Sequence, residues 1–472
     1  MKKPPLVLVN VVGLTHRWLP LAPHIHQLAE RGGIARLSEV CPAVTCTAQA
    51  SMLTGCTPQA HGIVANGWLH RDTMEVRFWQ QSNKLIQREP VYATALRMAQ
   101  AQGKLFSCAK LFWWFNQGAD VQYSITPKPH YGFDGNKIFD ISGEPLALAE
   151  DLKVELGPFP FHSFWGPMSG LPATNWIAQA AARIVERLRP NLSLVYLPHL
   201  DYEPQRHGPS GCNMPKILGE LEQALAVIEL AAARAGARVW IVSEYGHVDV
   251  DKPVYLNRVL RDQGCLQVRT GPFGEQLDLY GSEAFAVCDH QLAHVYVRSP
   301  QNIQKIRTLL SSVNGVSKVY AGEELQALHL DHQRSGDLVV VAKEKCWFAY
   351  PFWLHNRNAP DYARCVAIHH KPGFDPCELF FDPKIWFPKC YSLMRLIEKK
   401  LGFRTKFDVI PLNAKVVRGS HGLPAKDPAD RPLLIVDDAK LLPQRADAEL
   451  PMTAIRSLLL QELGFPDAPC VE

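Results

Sequence analysis

Pro42-Ala43-Val44-Thr45-Cys46-Thr47-Ala48-Gln49-Ala50-Ser51-Met52-Leu53-Thr54-Gly55-Cys56-Thr57-Pro58-Gln59-Ala60-His61-Gly62-Ile63-Val64-Ala65-Asn66 is the stretch of the chain richest in information. It reads as a turn leading into a short helix, Ala48 to Leu53, closed by Gly55. A hydroxyl at a helix N-terminus can meet an anion there, because free backbone N–H groups and the helix dipole favour negative charge. On local pattern alone the simpler reading is that Thr45 or Thr47 is an N-cap.

Outward from this stretch, three segments share one layout, an apolar run ending in polar residues. They are Leu6-Val7-Leu8-Val9 ending at Asn10, Leu194-Val195-Tyr196-Leu197 running to Asp201, and Val239-Trp240-Ile241-Val242 ending at Ser243-Glu244-Tyr245-Gly246. Short continuous apolar runs suit strands covered on both faces. Helical patterns at Trp176 to Leu188, stopped by Pro190, and Ile217 to Ala235, stopped by Gly236, feed the second and third runs. The alternation predicts an α/β fold with a mostly parallel central sheet and helices on both faces. In such sheets ligands bind beyond the carboxyl ends of the strands, where Asn10, Asp201, Glu244 and Tyr245 would converge.

After Gly246 a helix (Val254 to Gln263), a strand-like run (Ala284 to Val297) and a second helix (Gln301 to Val313) suffice for an inserted cap. The expected division is a core of residues 1–250 and 336–425, a cap of 251–335 and a peripheral tail of 426–472. Asp337 to Ala342 resumes a buried strand, and Trp347 to Trp386 is rich in aromatics, Pro and His.

The 472 residues are 47% apolar and 20% charged, with a net charge of +4, which describes an ordinary globular protein. That balance indicates no nucleic-acid partner, and no segment is long enough to span a bilayer, so no membrane is indicated. Leu6 to Val12, interrupted by Asn10, reads as a buried strand rather than a signal peptide. The cysteines, Cys41, Cys46, Cys56, Cys108, Cys212, Cys265, Cys288, Cys346, Cys365, Cys377, Cys390 and Cys470, show no framework spacing; a reducing, cytoplasmic setting is expected.

Pro42 to Asn66 resembles, without a gap, the nucleophile segment of the nucleotide pyrophosphatase/phosphodiesterases of the alkaline phosphatase superfamily: a Pro-x-x-Thr turn, a helix ending Thr-Gly, a Pro, then His-Gly-Ile and Asn. The resemblance implies that Thr45 attacks phosphorus and that Asn66 contacts a phosphate oxygen. It extends to Tyr196-Leu197-Pro198-His199-Leu200-Asp201 with Gly208-Pro209, to Ser243-Glu244-Tyr245-Gly246 where the family usually has Ser-Asp-His-Gly, to Gly419-Ser420-His421-Gly422, and to the Leu6–Asn10 strand. It implies a metal site at Asn10, Asp201, Gln205, Glu244, Tyr245 and His421. The family's usual pattern holds two zinc ions, one by Asp, His and His, the other by Asp, Asp, His and the Thr oxygen. Here only Asp201, His421 and Thr45 match, while Gln205, Asn10, Glu244 and Tyr245 stand at the other four positions.

Three readings follow. A single ion could be held by Asp201, His421 and a substitute such as His207, His199 or Gln205. Mg²⁺ or Mn²⁺ could use the oxygen-rich set Asn10, Asp201, Glu244 and Gln205. Or the fold binds a ligand without hydrolysing it. For the substrate, the aromatic run Phe112-Trp113-Trp114 offers Trp113 and Trp114 as a wall. His207, His290 of Asp289-His290-Gln291-Leu292-Ala293-His294, and Lys371 of His369-His370-Lys371 are further candidates. On a regular strand His290 and His294 would face the same way. The resemblance implies a metal-assisted hydrolase, zinc being the family's ion, of a small phosphodiester, pyrophosphate or phosphonate. The alternatives are a non-catalytic ligand-binding protein and a phosphoryl transferase. The Cys/Ser-x-Pro-x-Arg run of sulfatases does not occur.

Overall fold

The computed structural model describes residues 3–133, 137–403, 405–443 and 449–466. Its largest element is a nine-stranded sheet. In chain order the strands are β1 (Leu6–Val11), β2 (Gly33–Ser38), β3 (Cys108–Leu111), β4 (Tyr123–Pro127), β5 (Ile141–Glu144), β6 (Leu192–Leu197), β7 (Arg238–Val242), β8 (Leu433–Val436) and β9 (Glu449–Pro451). In space the order is β9-β2-β8-β7-β1-β6-β3-β4-β5. All run parallel except β8, which is antiparallel to β2 and β7, and β5, antiparallel to β4.

Every residue of β1 and β6 is buried, as continuous apolar runs require at the centre of a covered sheet. Helices Leu171–Leu188 and Met214–Ala235 pack together over one face, and helices Thr45–Thr54, Val91–Ala101 and Ala454–Leu463 over the other. Both helices expected before β6 and β7 start earlier than their apolar periodicity, with Pro172 and Pro215 in their first turns, where the missing N–H costs nothing. Asn213 Oδ1 caps the second by accepting from Lys216 N at 3.2 Å. Asn10 pairs in register with Tyr196 on one side and Val242 on the other, so the three polar ends reach one level of the sheet.

Two expected boundaries move. The strand Leu338–Ala342, expected in the core, is outside the main sheet and pairs between Leu292–Val297 and Val316–Ala321 in an antiparallel four-stranded sheet. Its apolar run would suit either sheet, and only long-range pairing decides. The segment after residue 426 is not peripheral. β8 completes the middle of the main sheet, and helix Ala454–Leu463 packs on helix Thr45–Thr54. A four-residue apolar strand, LLIV, is too short to outweigh the Pro and charge around it. The run Ala284–Val297 is a hairpin rather than one strand, and His290 takes φ of 58° at its turn.

Candidate active site

Thr45 is the first residue of its helix; the N-cap is Val44, which has no side chain able to cap, and Thr45 Oγ1 stands 2.9 Å from the Tyr245 hydroxyl. Tyr245 follows β7, and its hydroxyl also lies 3.3 Å from Asp201 Oδ1, on the helix that follows β6. Asp201 accepts from His247 Nε2 at 3.0 Å and from Gln205 Nε2 at 2.9 Å. His421 stacks on Tyr245 and turns its Nδ1 to the Ala43 carbonyl at 2.8 Å. That hydrogen bond fixes the tautomer and leaves Nε2 as a ligand. The donor atoms of Asp201, His247 and His421 lie within 4.8 Å of one another, and all three residues are buried.

Electrostatics fit this triad to one cation. Burial works to raise the Asp201 carboxyl, but the hydrogen bond and charge of His247, with the Gln205 hydrogen bond, hold it below its ordinary value. Burial, helped by His290, keeps the His421 imidazole neutral, the form that ligates metal. Among the described residues, Asp, His and His match the donor set of a catalytic zinc site, which keeps its fourth position open.

On the other side of Thr45 the chemistry differs. Glu244 Oε1 accepts from Asn10 Nδ2 at 2.5 Å and from Gln49 Nε2 at 2.7 Å. Burial pushes the Glu244 carboxyl up to about 8, with Asp201 adding to the shift against hydrogen bonds from Gln49, Asn10 and Thr45. Burial likewise raises the Tyr245 phenol well above its usual range, so it is not an anion. This side offers one carboxyl, one amide and one phenol where the usual second zinc position has two carboxylates and an imidazole, and Asn10 Oδ1 and Glu244 Oε2 are buried there without a hydrogen-bond partner.

Sequence reasoning missed His247. Attention to the usual Ser-Asp-His-Gly order put Tyr245 at the histidine position, while the imidazole stands just past the glycine. Two glycines make the arrangement possible. A Cβ on Gly13, which has φ of 81°, would come within 3.1 Å of the His247 ring, and one on Gly246 would lie 2.2 Å from the Asp430 carbonyl. Gln49 was missed too. Its Oε1 accepts from Trp114 N at 2.8 Å, tying Glu244 to the aromatic loop.

Asn66 closes the site from the cap side. Its Oδ1 accepts from Cys46 N at 3.0 Å, while its own N and Nδ2 donate to Asp289 at 2.8 and 3.2 Å. A cavity of about 410 Å³ opens from Thr45 and Asp201 between Trp79, Trp114, Trp165 and Phe164. Trp114 lines it, whereas Trp113 is packed into the sheet core behind. His290 sits behind His421, ring centroids 3.6 Å apart, and His294 faces elsewhere, with Nε2 on the Val64 carbonyl. His207 is exposed and pairs with Glu203 at 3.4 Å. His199 pairs with Glu220 at 3.1 Å. Lys371 is buried between Asp375 and Glu378, both at 2.6 Å, which leaves its charge compensated and away from the cavity. The eleven described cysteines are free thiols; Cys470 lies outside the described residues.

Residues 6–375 match the family model described as type I phosphodiesterase / nucleotide pyrophosphatase. Comparison with curated proteins finds no match. Among solved structures, murine ectonucleotide pyrophosphatase / phosphodiesterase 5 superposes with a TM-score of 0.59 at 15% identity, over 98% of this chain and 96% of its own. Phosphonoacetate hydrolase from Sinorhizobium meliloti 1021, in complex with phosphonoformate, superposes with 0.60 at 15% identity, over 98% and 96%. The human ectonucleotide pyrophosphatase / phosphodiesterase 5 gives 0.58 at 14%, over 98% and 95%. At such identities the likeness is one of fold. The sequence match over most of the chain decides the rest: this protein belongs to the type I phosphodiesterase / nucleotide pyrophosphatase family of the alkaline phosphatase superfamily, a family of phosphoric-ester hydrolases.

Proposed function

We propose that this chain hydrolyses a small phosphodiester, pyrophosphate or phosphonate with Thr45 as nucleophile and one divalent metal ion held by Asp201, His247 and His421. The observation that carries the reading is the position of Thr45 Oγ1, lining the cavity with Asp201 and joined to that carboxylate through the Tyr245 hydroxyl. When bound, the ion supplies positive charge that polarises a phosphoryl oxygen.

The chain's own groups do the rest. Tyr245 donates to Asp201 and accepts from Thr45, so that a lone pair of Oγ1 is turned toward the cavity. Thr45 Oγ1 attacks phosphorus, the bond to the leaving group breaks, and the Thr45 proton is lost to solvent while the leaving group gains one. Asn66 spends one amide hydrogen on Asp289 and has a second for an equatorial phosphoryl oxygen. Water then cleaves the phospho-threonine bond and restores the hydroxyl. Trp79 and Trp114, ring centroids 4.9 Å apart, give the rest of the substrate an aromatic wall, which suits a small ester with an apolar or flat group.

Thr45→Ala tests the nucleophile. Hydrolysis of a bis-aryl phosphodiester by the metal-loaded protein should fall to background in that variant while metal content is unchanged. Full turnover by Thr45→Ala would refute the mechanism. Metal binding without hydrolysis by the wild type, on any of the three ester classes, would favour the ligand-binding alternative.

A further inference from the structure

Between Phe381 and Val409 the chain makes an excursion from the body of the protein. Its base is pinned by a hydrogen bond from Asp382 N to the Val409 carbonyl at 2.7 Å. The excursion carries a 13-residue helix, Pro388–Lys400, whose amphipathic pattern is turned inside out. After Pro388, the half-buried positions among the described ones are Tyr391, Ser392, Arg395 and Glu398, the polar stripe. They fasten the helix. Tyr391 donates to Asp408 at 2.7 Å, Arg395 donates to the Tyr391 hydroxyl at 2.6 Å, and Arg395 pairs with Glu398 at 3.0 Å and Asp408 at 3.3 Å.

The apolar stripe faces away from the protein. Leu393, Met394, Leu396 and Ile397 are 44–57% exposed, and Trp386 and Phe387 just before the helix are 89% and 71% exposed. Leu401 and Phe403 continue the stripe at 70% and 64%. Scattered apolar residues on a surface are ordinary, but a contiguous patch on one helix marks an interaction site. Helices normally turn this stripe inward.

Charge identifies what covers it. The segment 384–407 contains seven Lys or Arg against one acid, Glu398, a net +6, whereas the whole chain is +4, so the remainder is net −2. Lys384 and Lys389 are exposed beside the apolar stripe. A second copy of this chain, docked by two-fold symmetry, would bring the same positive segment against itself and pay for the repulsion. An anionic bilayer surface complements both features at once: acyl chains take the apolar stripe, and headgroups take the exposed Lys384 and Lys389.

We infer that the Pro388–Lys400 helix, with Trp386, Phe387, Leu401 and Phe403, is a peripheral docking surface for anionic lipid membranes. The helix lies in the plane of the interface. It does not span, and no helix among the described residues is long and apolar enough to do so.

The test is co-sedimentation of the full chain with vesicles of phosphatidylcholine alone and of phosphatidylcholine with about a third phosphatidylglycerol, at low and high salt. Binding should require the anionic lipid and weaken with salt, and the double substitution Leu393→Ser with Ile397→Ser should reduce it roughly tenfold or more. Both positions are exposed, so the melting temperature should stay unchanged, which separates lost docking from lost folding. Failure to bind anionic vesicles, equal binding to neutral ones, or wild-type binding by the double variant overturns the inference. So does a wild-type dimer in light scattering that the same double variant splits, since the occupant is then a second copy.

Discussion

Tyr245 and His421 lie face to face, ring centroids 3.8 Å apart and planes 8° from parallel, so the phenol that touches the proposed nucleophile, Thr45, is held by a side chain of the candidate metal triad. Where the family's usual order has a histidine, this chain has a phenol. It carries its hydroxyl to both Thr45 and Asp201, while the imidazole comes from His247.

Tyr245→Phe keeps the stack and removes the hydroxyl. The expected result is a fall in kcat of about ten- to a hundredfold, with metal content unchanged and stability altered by about 1 kcal/mol. Steady-state kinetics alongside elemental analysis separates this orienting role from metal binding.

Replacing Asn10, Glu244 and Tyr245 by the family's usual donors should create a second site. The triple substitution Asn10→Asp, Glu244→Asp, Tyr245→His supplies two carboxylates and an imidazole beside Thr45. Metal titration of that variant should rise from one equivalent of zinc to two. A stoichiometry still at one would show that backbone position, not donor identity, excludes the second ion.

Gln49 is the only described side chain that bridges Glu244 and the backbone of Trp114. Gln49→Ala leaves a buried carboxyl with one donor fewer and a buried N–H without its acceptor. Denaturant unfolding should register a loss of about 2–4 kcal/mol.

Two buried histidines flank the loop that leads to Asn66 and are held as neutral imidazoles. His61 Nδ1 accepts from Ile63 N at 3.1 Å and its Nε2 donates to Ser51 at 2.8 Å; His294 accepts from Gly336 N at 3.0 Å and donates to the Val64 carbonyl at 3.1 Å. Burial, with nearby positive charge, lowers His61 to about 3 and His294 to about 4. The unfolded chain protonates both near 6.5 and the folded chain does not, so the stability present above 6.5 is lost as pH falls toward 4. The slope is up to about 1.4 kcal/mol per pH unit for each histidine. Thermal unfolding of His294→Gln against wild type should therefore show a stability gap that narrows from about pH 7 to about pH 4.5. A gap independent of pH would mean that folding leaves the His294 imidazole's affinity for protons unchanged.

The sheet was legible where burial alone determines sequence. β1, β6 and β7 are continuous apolar runs because both faces are covered, and their polar ends announce the site. β8 was not legible, because its four apolar residues belong to the main sheet only through pairing with strands about two hundred and four hundred positions away. The same holds for Leu338–Ala342, whose composition suits a strand in either sheet. At the site, the segment Pro42 to Asn66 is continuous in sequence and so carries its own pattern. His247 lies one residue beyond the Ser243–Gly246 motif, outside its pattern, and its place shows only in the fold, where Gly13 lets its ring come beside Asp201. His290 defeats strand alternation because it occupies the hairpin turn, where the period of two does not apply.

The central claim is that one ion, held by Asp201, His247 and His421, serves this site. Elemental analysis of protein purified without chelator, wild type beside His247→Ala and Glu244→Gln, tests it directly. The account predicts one divalent ion per chain in the wild type, its loss in His247→Ala and its retention in Glu244→Gln. Two ions in the wild type, or an ion that survives His247→Ala but is lost in Glu244→Gln, would contradict it.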